Sequence, residues 1–165
     1  MRKINVTLRW LKQNCTMNFR VCTTIPAITK ESVMNGFTSR LFLRLAPPFP
    51  KLTLLRFDGS KKGDEIHLQL DFLLSKTVWV SLITESGTTK DTLYFIDEGK
   101  TVPPPIKKWT HKHIVRQLDT SVEIEDNLTY SSGNRLLDLL LFPPIYFLMV
   151  YRKPIYRAYF GNTIG

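Results

Sequence analysis

The segment Trp109-Thr110-His111-Lys112-His113-Ile114-Val115-Arg116 alternates so strictly that it constrains the fold more than any other stretch of the chain. Successive side chains of a strand point to opposite faces. Trp109, His111, His113 and Val115 therefore share one face, and Lys108, Thr110, Lys112 and Arg116 the other. Charged side chains are almost never fully buried unless paired, so the Lys/Arg face is the solvated one. An indole and two imidazoles then point inward. A sheet that aims half-polar rings at its interior lines a cavity more readily than a closed core.

Neighbouring segments point the same way. In Phe95-Ile96-Asp97-Glu98-Gly99, Phe95 and Asp97 share a face, and Pro103-Pro104-Pro105 marks the turn toward Trp109. From Val122 to Tyr130, the residues Val122, Ile124, Asp126, Leu128 and Tyr130 oppose Glu123, Glu125, Asn127 and Thr129, so Asp126 points with the apolar side chains. Two carboxylates and two histidines thus look into one interior, where buried charge must find a partner. A hydrogen-bonded Asp–His network bracing the sheet is the first reading, and contact with a ligand the second. Metal binding is the third: His-x-His presents two imidazoles to one side and a carboxylate could complete the set, but the spacing is common and identifies no third ligand. No metal and no cofactor is assigned on this basis. The chain has no G-x-S-x-G motif and no Gly-rich phosphate loop.

The remaining pattern describes strands framed by helices. Phe19 to Ile25 alternates as a strand, Thr29 can cap a short helix through Phe37, and Ser39 a second through Leu45, stopped by Pro47-Pro48. Strands follow at Leu52 to Asp58, around Ile66, Leu68, Leu70 and Phe72 with His67 on the polar side, and at Thr77 to Thr84 with Trp79. Gly87 reads as a turn. Leu93 to Asp97, Lys107 to Leu118 and Val122 to Tyr130 complete an antiparallel series, which with terminal helices predicts an α+β domain. At the end, Asn134 to Phe142 reads as one helical piece, Pro144 as the start of the next, and Pro154 as an interruption. Ile145 to Tyr151, which includes Leu148, has no polar face, so that segment should be buried on more than one side. One side can close a cavity. The other needs sheet, a second copy of the chain or lipid.

An F-x-D-E strand followed by a Gly/Pro turn and W-x-H-x-H resembles the ligand-binding members of the SRPBCC (START-like) superfamily, kin of the birch-pollen allergen, lipid-transfer START domains and polyketide cyclases. Ile25-Pro26-Ala27, Leu41 to Pro48, Lys62-Gly63-Asp64, Asp126 to Tyr130 and Tyr151-Arg152 continue the likeness from Met17 to Phe160. The resemblance implies a helix-grip fold, a curved antiparallel sheet of about seven strands wrapped around a long C-terminal helix, with two short helices after the first strand. Residues 17–165 would form that single domain. Residues 1–16 would be an N-terminal extension whose Ile4, Val6, Leu8 and Trp10 alternate like an extra strand. The implied function is noncovalent binding of a small hydrophobic molecule, a lipid, polyketide-like or aromatic compound, between sheet and helix. Trp79, Phe95, Trp109, Tyr130 and Leu148 would be its walls, and Asp97, His111, His113 and Asp126 its polar contacts. The alternatives are a cyclase or hydratase using His111 or His113 with Asp126 as acid and base, and a membrane-surface or protein-interaction module.

Composition narrows the partners. The chain of 165 residues is 43% hydrophobic and 12% aromatic, which excludes the disordered class. Two cysteines, Cys15 and Cys22, make neither a disulfide scaffold nor a zinc motif. The net charge of +9 comes from the stretch ending at Phe57, where ten Lys/Arg face one acid, Glu31. Such asymmetry can mark an anionic partner, whether membrane surface, nucleic acid or acidic protein, but the cations are dispersed and no nucleic-acid motif accompanies them, so an unspecialised basic surface is the first reading and no nucleic-acid partner is expected. A homodimer through the apolar helix is the other partner considered. Leu139 to Tyr151 is too short to span a bilayer, which takes about 20 apolar residues, and no secretory leader is visible, so the sequence reads as a soluble cytoplasmic chain.

Overall fold

A computed structural model describes residues 16–161. The strands are β1 (Met17–Pro26), β2 (Lys51–Phe57), β3 (Glu65–Asp71), β4 (Lys76–Thr88), β5 (Thr92–Thr101), β6 (Lys108–Gln117) and β7 (Ser121–Ser131). The helices are α1 (Lys30–Asn35) and α2 (Ser39–Arg44) after β1, and α3 (Arg135–Gly161) at the end. Among the described residues the strands form one antiparallel sheet in the order β1-β7-β6-β5-β4-β3-β2. β2 to β7 run as a meander, and α1 and α2 carry the chain from β1 to the opposite edge. The register shifts between Leu54 and Arg56 and at two places along the β4–β5 pair, and such bulges bend the sheet. This is the expected α+β helix-grip architecture.

Local chemistry accounts for the short helices. Thr29 Oγ1 accepts a hydrogen bond from the Ser32 amide and caps α1. The cap of α2 is Thr38, one residue before the expected Ser39. Gly87 lies inside β4 and not in a turn, because β4 continues to Thr88 and the reversal comes at Thr89. A Cβ at Gly87 would lie 2.7 Å from the Tyr94 ring on β5, so glycine lets that ring lie against β4 and a side chain there would displace it.

α3 corrects the C-terminal expectation: it is one continuous helix through Pro143, Pro144 and Pro154. Each proline deletes an amide, but all three are exposed, and so are Leu139 and Leu140, whose carbonyls lose their partners to Pro143 and Pro144. Water can satisfy those groups, and packing of the inner face holds the helix together. That inner face places Ile145 and Met149 against Phe19, Val21, Leu128 and Tyr130, then Tyr156 and Phe160 against Ile25, Val33, Leu41, Val115 and Ile124. The outer side of the Ile145 to Tyr151 segment is not covered by this chain's own sheet: Phe147 is 62% exposed. Among the described residues no helix is long and apolar enough to cross a membrane. The alternating segment from Ile4 to Trp10 lies outside the described residues, and with it the expected extra strand.

Candidate functional site

Between the concave sheet and α3 lies a cavity of two adjoining compartments. The larger, about 140 Å³, is bounded by Pro47 and Pro50 before β2, Leu68 and Trp79 on the sheet, Trp109 on β6, and Leu148 and Met149 on α3. The smaller, about 60 Å³, is bounded by Phe37, Leu41, Phe57, Phe95 and His113. Phe42, Leu45, Ile66, Asp97, His111 and Arg152 border both. Trp79 and Trp109 meet edge to face at 4.9 Å, and the Trp79 indole N–H donates to Ser81 Oγ at 2.9 Å. Gly99 helps to seat Trp109, since a Cβ there would lie 3.1 Å from Trp109 Cβ.

Polar groups gather at the wall that the compartments share. His111 and His113, both on the inward face of β6, stand with ring centroids 3.9 Å apart, and Phe95 stacks on His113 at 4.4 Å. The antiparallel register puts Asp126 of β7 opposite His113. His111 Nε2 is hydrogen-bonded to Asp126 Oδ1 at 3.0 Å. His113 Nδ1 lies 3.1 Å from the same oxygen but is not aligned for a hydrogen bond. From α3, the Tyr156 hydroxyl donates to Oδ1 at 3.4 Å, and Arg152 Nη1 stands 3.8 Å away.

Burial disfavours the charged form of His111, the neighbouring His113 adds to this, and the ring titrates at about 3 although Asp126 pulls the other way. At Asp126 burial pushes the pKa up, but interactions with His111 and His113 outweigh it and hold the carboxyl well below the usual carboxylate range. The cluster is therefore a carboxylate facing neutral imidazole at His111. Tyr156 is raised by burial and by the charge of Asp126, so its hydroxyl remains a donor. Asp97 is raised above its ordinary 3.8, chiefly by burial, with Ser81, His113 and Arg152 opposing. The residue keeps some exposure, but its Oδ1 is enclosed. Among the described residues, Asp97 Oδ1 and His113 Nδ1 are the buried side-chain atoms without a hydrogen-bond partner.

Two groups of side chains could hold a metal among the described residues: His111, His113 and Asp126, and Cys22, Glu123 and Glu125 on the opposite sheet face. In the second group Arg116 already pairs with Glu123 at 2.7 Å and approaches Glu125 at 3.8 Å.

The residues picked from the sequence separate into two sets. Trp79, Trp109 and Leu148 border the larger compartment, Phe95 and His113 the smaller, and Asp97 and His111 both. Asp126 and Tyr130, expected to contact the ligand, border neither compartment. Asp126 sits behind the histidines. Tyr130 is fully buried below the start of α3, where its hydroxyl donates to the Asp138 carbonyl at 2.7 Å. That junction is tied further by the Ser132 amide, which donates to Asp138 Oδ1 at 2.5 Å, and by Asn134 Oδ1, which caps the Leu137 amide at 3.1 Å. Arg152 and Tyr156 were missed. Their signal was the helical spacing of Met149, Arg152 and Tyr156, which puts all three on one face.

No protein family matches the chain by sequence, and no curated protein matches it either. Solved structures do. A hypothetical protein, jhp0584 from Helicobacter pylori, superposes with a TM-score of 0.64 at 11% identity, covering 96% of this chain and 96% of that one. The Zhui aromatase/cyclase from Streptomyces sp. R1128 gives 0.62 at 12% identity, covering 87% and 93%. Ara h 8.0201 gives 0.57 at 11% identity, covering 90% and 100%. At these identities the likeness is one of fold. The chain has the helix-grip fold that these structures share.

Proposed function

We propose that the protein binds a small, largely apolar molecule noncovalently between sheet and α3. The observation that carries this reading is the lining: Phe42, Leu45, Ile66, Leu68, Trp79, Trp109 and Leu148 form apolar walls, and the charged and imidazole side chains Asp97, His111 and Arg152 gather at the shared wall, with His113 beside them in the smaller compartment. Apolar walls supply affinity and a few fixed polar groups supply orientation. The fold is shared with an aromatase/cyclase and with Ara h 8.0201, which supports a cavity-centred role. The His111–Asp126 pair receives less support as an acid–base couple. An imidazole that protonates only at about 3 cannot deliver a proton near neutrality.

Native mass spectrometry of freshly purified protein tests the reading, followed by titration with an apolar fluorescent dye. A saturating ligand at a hundred times its dissociation constant should add about 2.7 kcal/mol of stability. Leu45→Trp places an indole at the junction of the compartments and should abolish dye binding in a chain that still unfolds cooperatively. Undiminished dye binding by that variant would defeat the assignment to this cavity.

A further inference from the structure

We propose that His111 Nε2, His113 Nδ1 and Asp126 Oδ1 form a site for one divalent transition-metal ion of the zinc class, at the inner wall of the smaller compartment. Each donor comes from a side chain that is at least nine-tenths buried: 3% exposed for His111, 8% for His113 and 1% for Asp126. The two nitrogens stand 3.0 and 3.1 Å from the shared oxygen, and all three donor atoms lie within 4.8 Å of one another. A tetrahedral ion with bonds of about 2.0–2.1 Å needs its donors about 3.3 Å apart, so the two nitrogen–oxygen separations need to widen by only a few tenths of an ångström, with the two nitrogens within 4.8 Å of each other.

The aim of His113 is the second observation. Its Nδ1 is buried and close to a carboxylate oxygen, yet it is not directed along a hydrogen bond to that oxygen. A buried imidazole nitrogen left without a hydrogen bond at that distance can offer its lone pair to a third atom between them. The ligand types are two imidazoles and one carboxylate, the set of catalytic zinc sites that keep a position open. His111 and His113 border the smaller compartment, whose 60 Å³ exceeds the roughly 10–15 Å³ that one water occupies on this measure, leaving room for a fourth, water ligand. Outside the donors, Tyr156 donates to the carboxylate oxygen and would orient it, as partners of ligating carboxylates do. Arg152 opposes the ion, since its cation stands 3.8 Å from Asp126 Oδ1. Its effect on affinity therefore has a definite sign. The Cys22 group is the weaker candidate because Arg116 already neutralises it.

The test uses the full chain and the metal alone. Zn²⁺ is titrated in competition with a chromophoric chelator, Co²⁺ is followed by visible absorption, and ring-nitrogen shifts of the three histidines are read by NMR with and without Zn²⁺. The expected result is saturation at a single equivalent, tetrahedral cobalt bands without a thiolate charge-transfer band, and large shifts at His111 Nε2 and His113 Nδ1 with His67 unmoved. His113→Gln should weaken binding on the order of 100-fold, Arg152→Met should tighten it about tenfold by removing a like charge, and Cys22→Ser should leave it unchanged. The wild-type ring-nitrogen shifts decide the matter even if a cluster variant fails to fold. Absence of saturable binding, a thiolate band, shifts confined to His67, or unaltered affinity in a folded His113→Gln variant would each overturn the site.

Discussion

Replacing Asp97 by asparagine should stabilise the protein at neutral pH, and the gain should vanish in acid. Asp97 is held on β5 opposite His111, and its Oδ1 is enclosed without a hydrogen-bond partner. Burial, the largest influence on it, raises its pKa above the ordinary 3.8. The sign follows from proton binding. Between 3.8 and the higher folded pKa, the folded state holds a proton that the unfolded chain has released, so stability declines as pH rises through that window and the loss then persists. An asparagine side chain in its place has no proton to lose. A buried, poorly compensated polar group costs about 1–3 kcal/mol, and in a domain of this size each kcal/mol moves Tm by about 2–4 °C. Asp97→Asn should therefore raise Tm by roughly 2–12 °C at neutral pH. Urea unfolding of both proteins from about pH 7.5 down to about pH 4 measures the difference, which should shrink steadily toward the ordinary carboxyl range. A destabilised variant at neutral pH, or a gain that does not change with pH, would refute the reasoning. The first outcome would mean that ionised Asp97 is compensated after all; the second would mean that any benefit has nothing to do with charge.

Two further expectations follow from the same wall and from the junction before α3. His111 titrates at about 3 in the fold against an ordinary 6.5, so the stability that its neutral form confers is complete above 6.5 and is lost as pH falls toward 3; NMR at about pH 5 should find its ring neutral. Tyr130→Phe removes the donor to the Asp138 carbonyl and should cost about 1–2 kcal/mol in urea unfolding while leaving ligand affinity unchanged, because Tyr130 borders neither compartment; weakened binding with intact stability would return it to the ligand site.

Much of this protein can be read along the chain because side-chain direction in a strand is local. Alternation alone put Trp109, His111, His113 and Asp126 on inward faces, and all four are there, with the histidines and Asp126 buried. Thr29 as a cap and the antiparallel series were legible for the same reason, each being set by a few neighbouring residues. What alternation could not say is which inward groups meet. That depends on strand register and on where a distant helix docks: the β6–β7 pairing brought Asp126, and not Asp97, within hydrogen-bonding reach of the histidines, and α3 added Arg152 and Tyr156 from the far end of the chain. Tyr130 shares its face with Asp126, yet it lies beside the start of α3, where the Asp138 carbonyl claims its hydroxyl. The prolines of α3 mark the other boundary. Locally they argue for breaks, but the helix is held by the face it buries against β1 and β7, and it places its proline residues where water replaces the lost bonds.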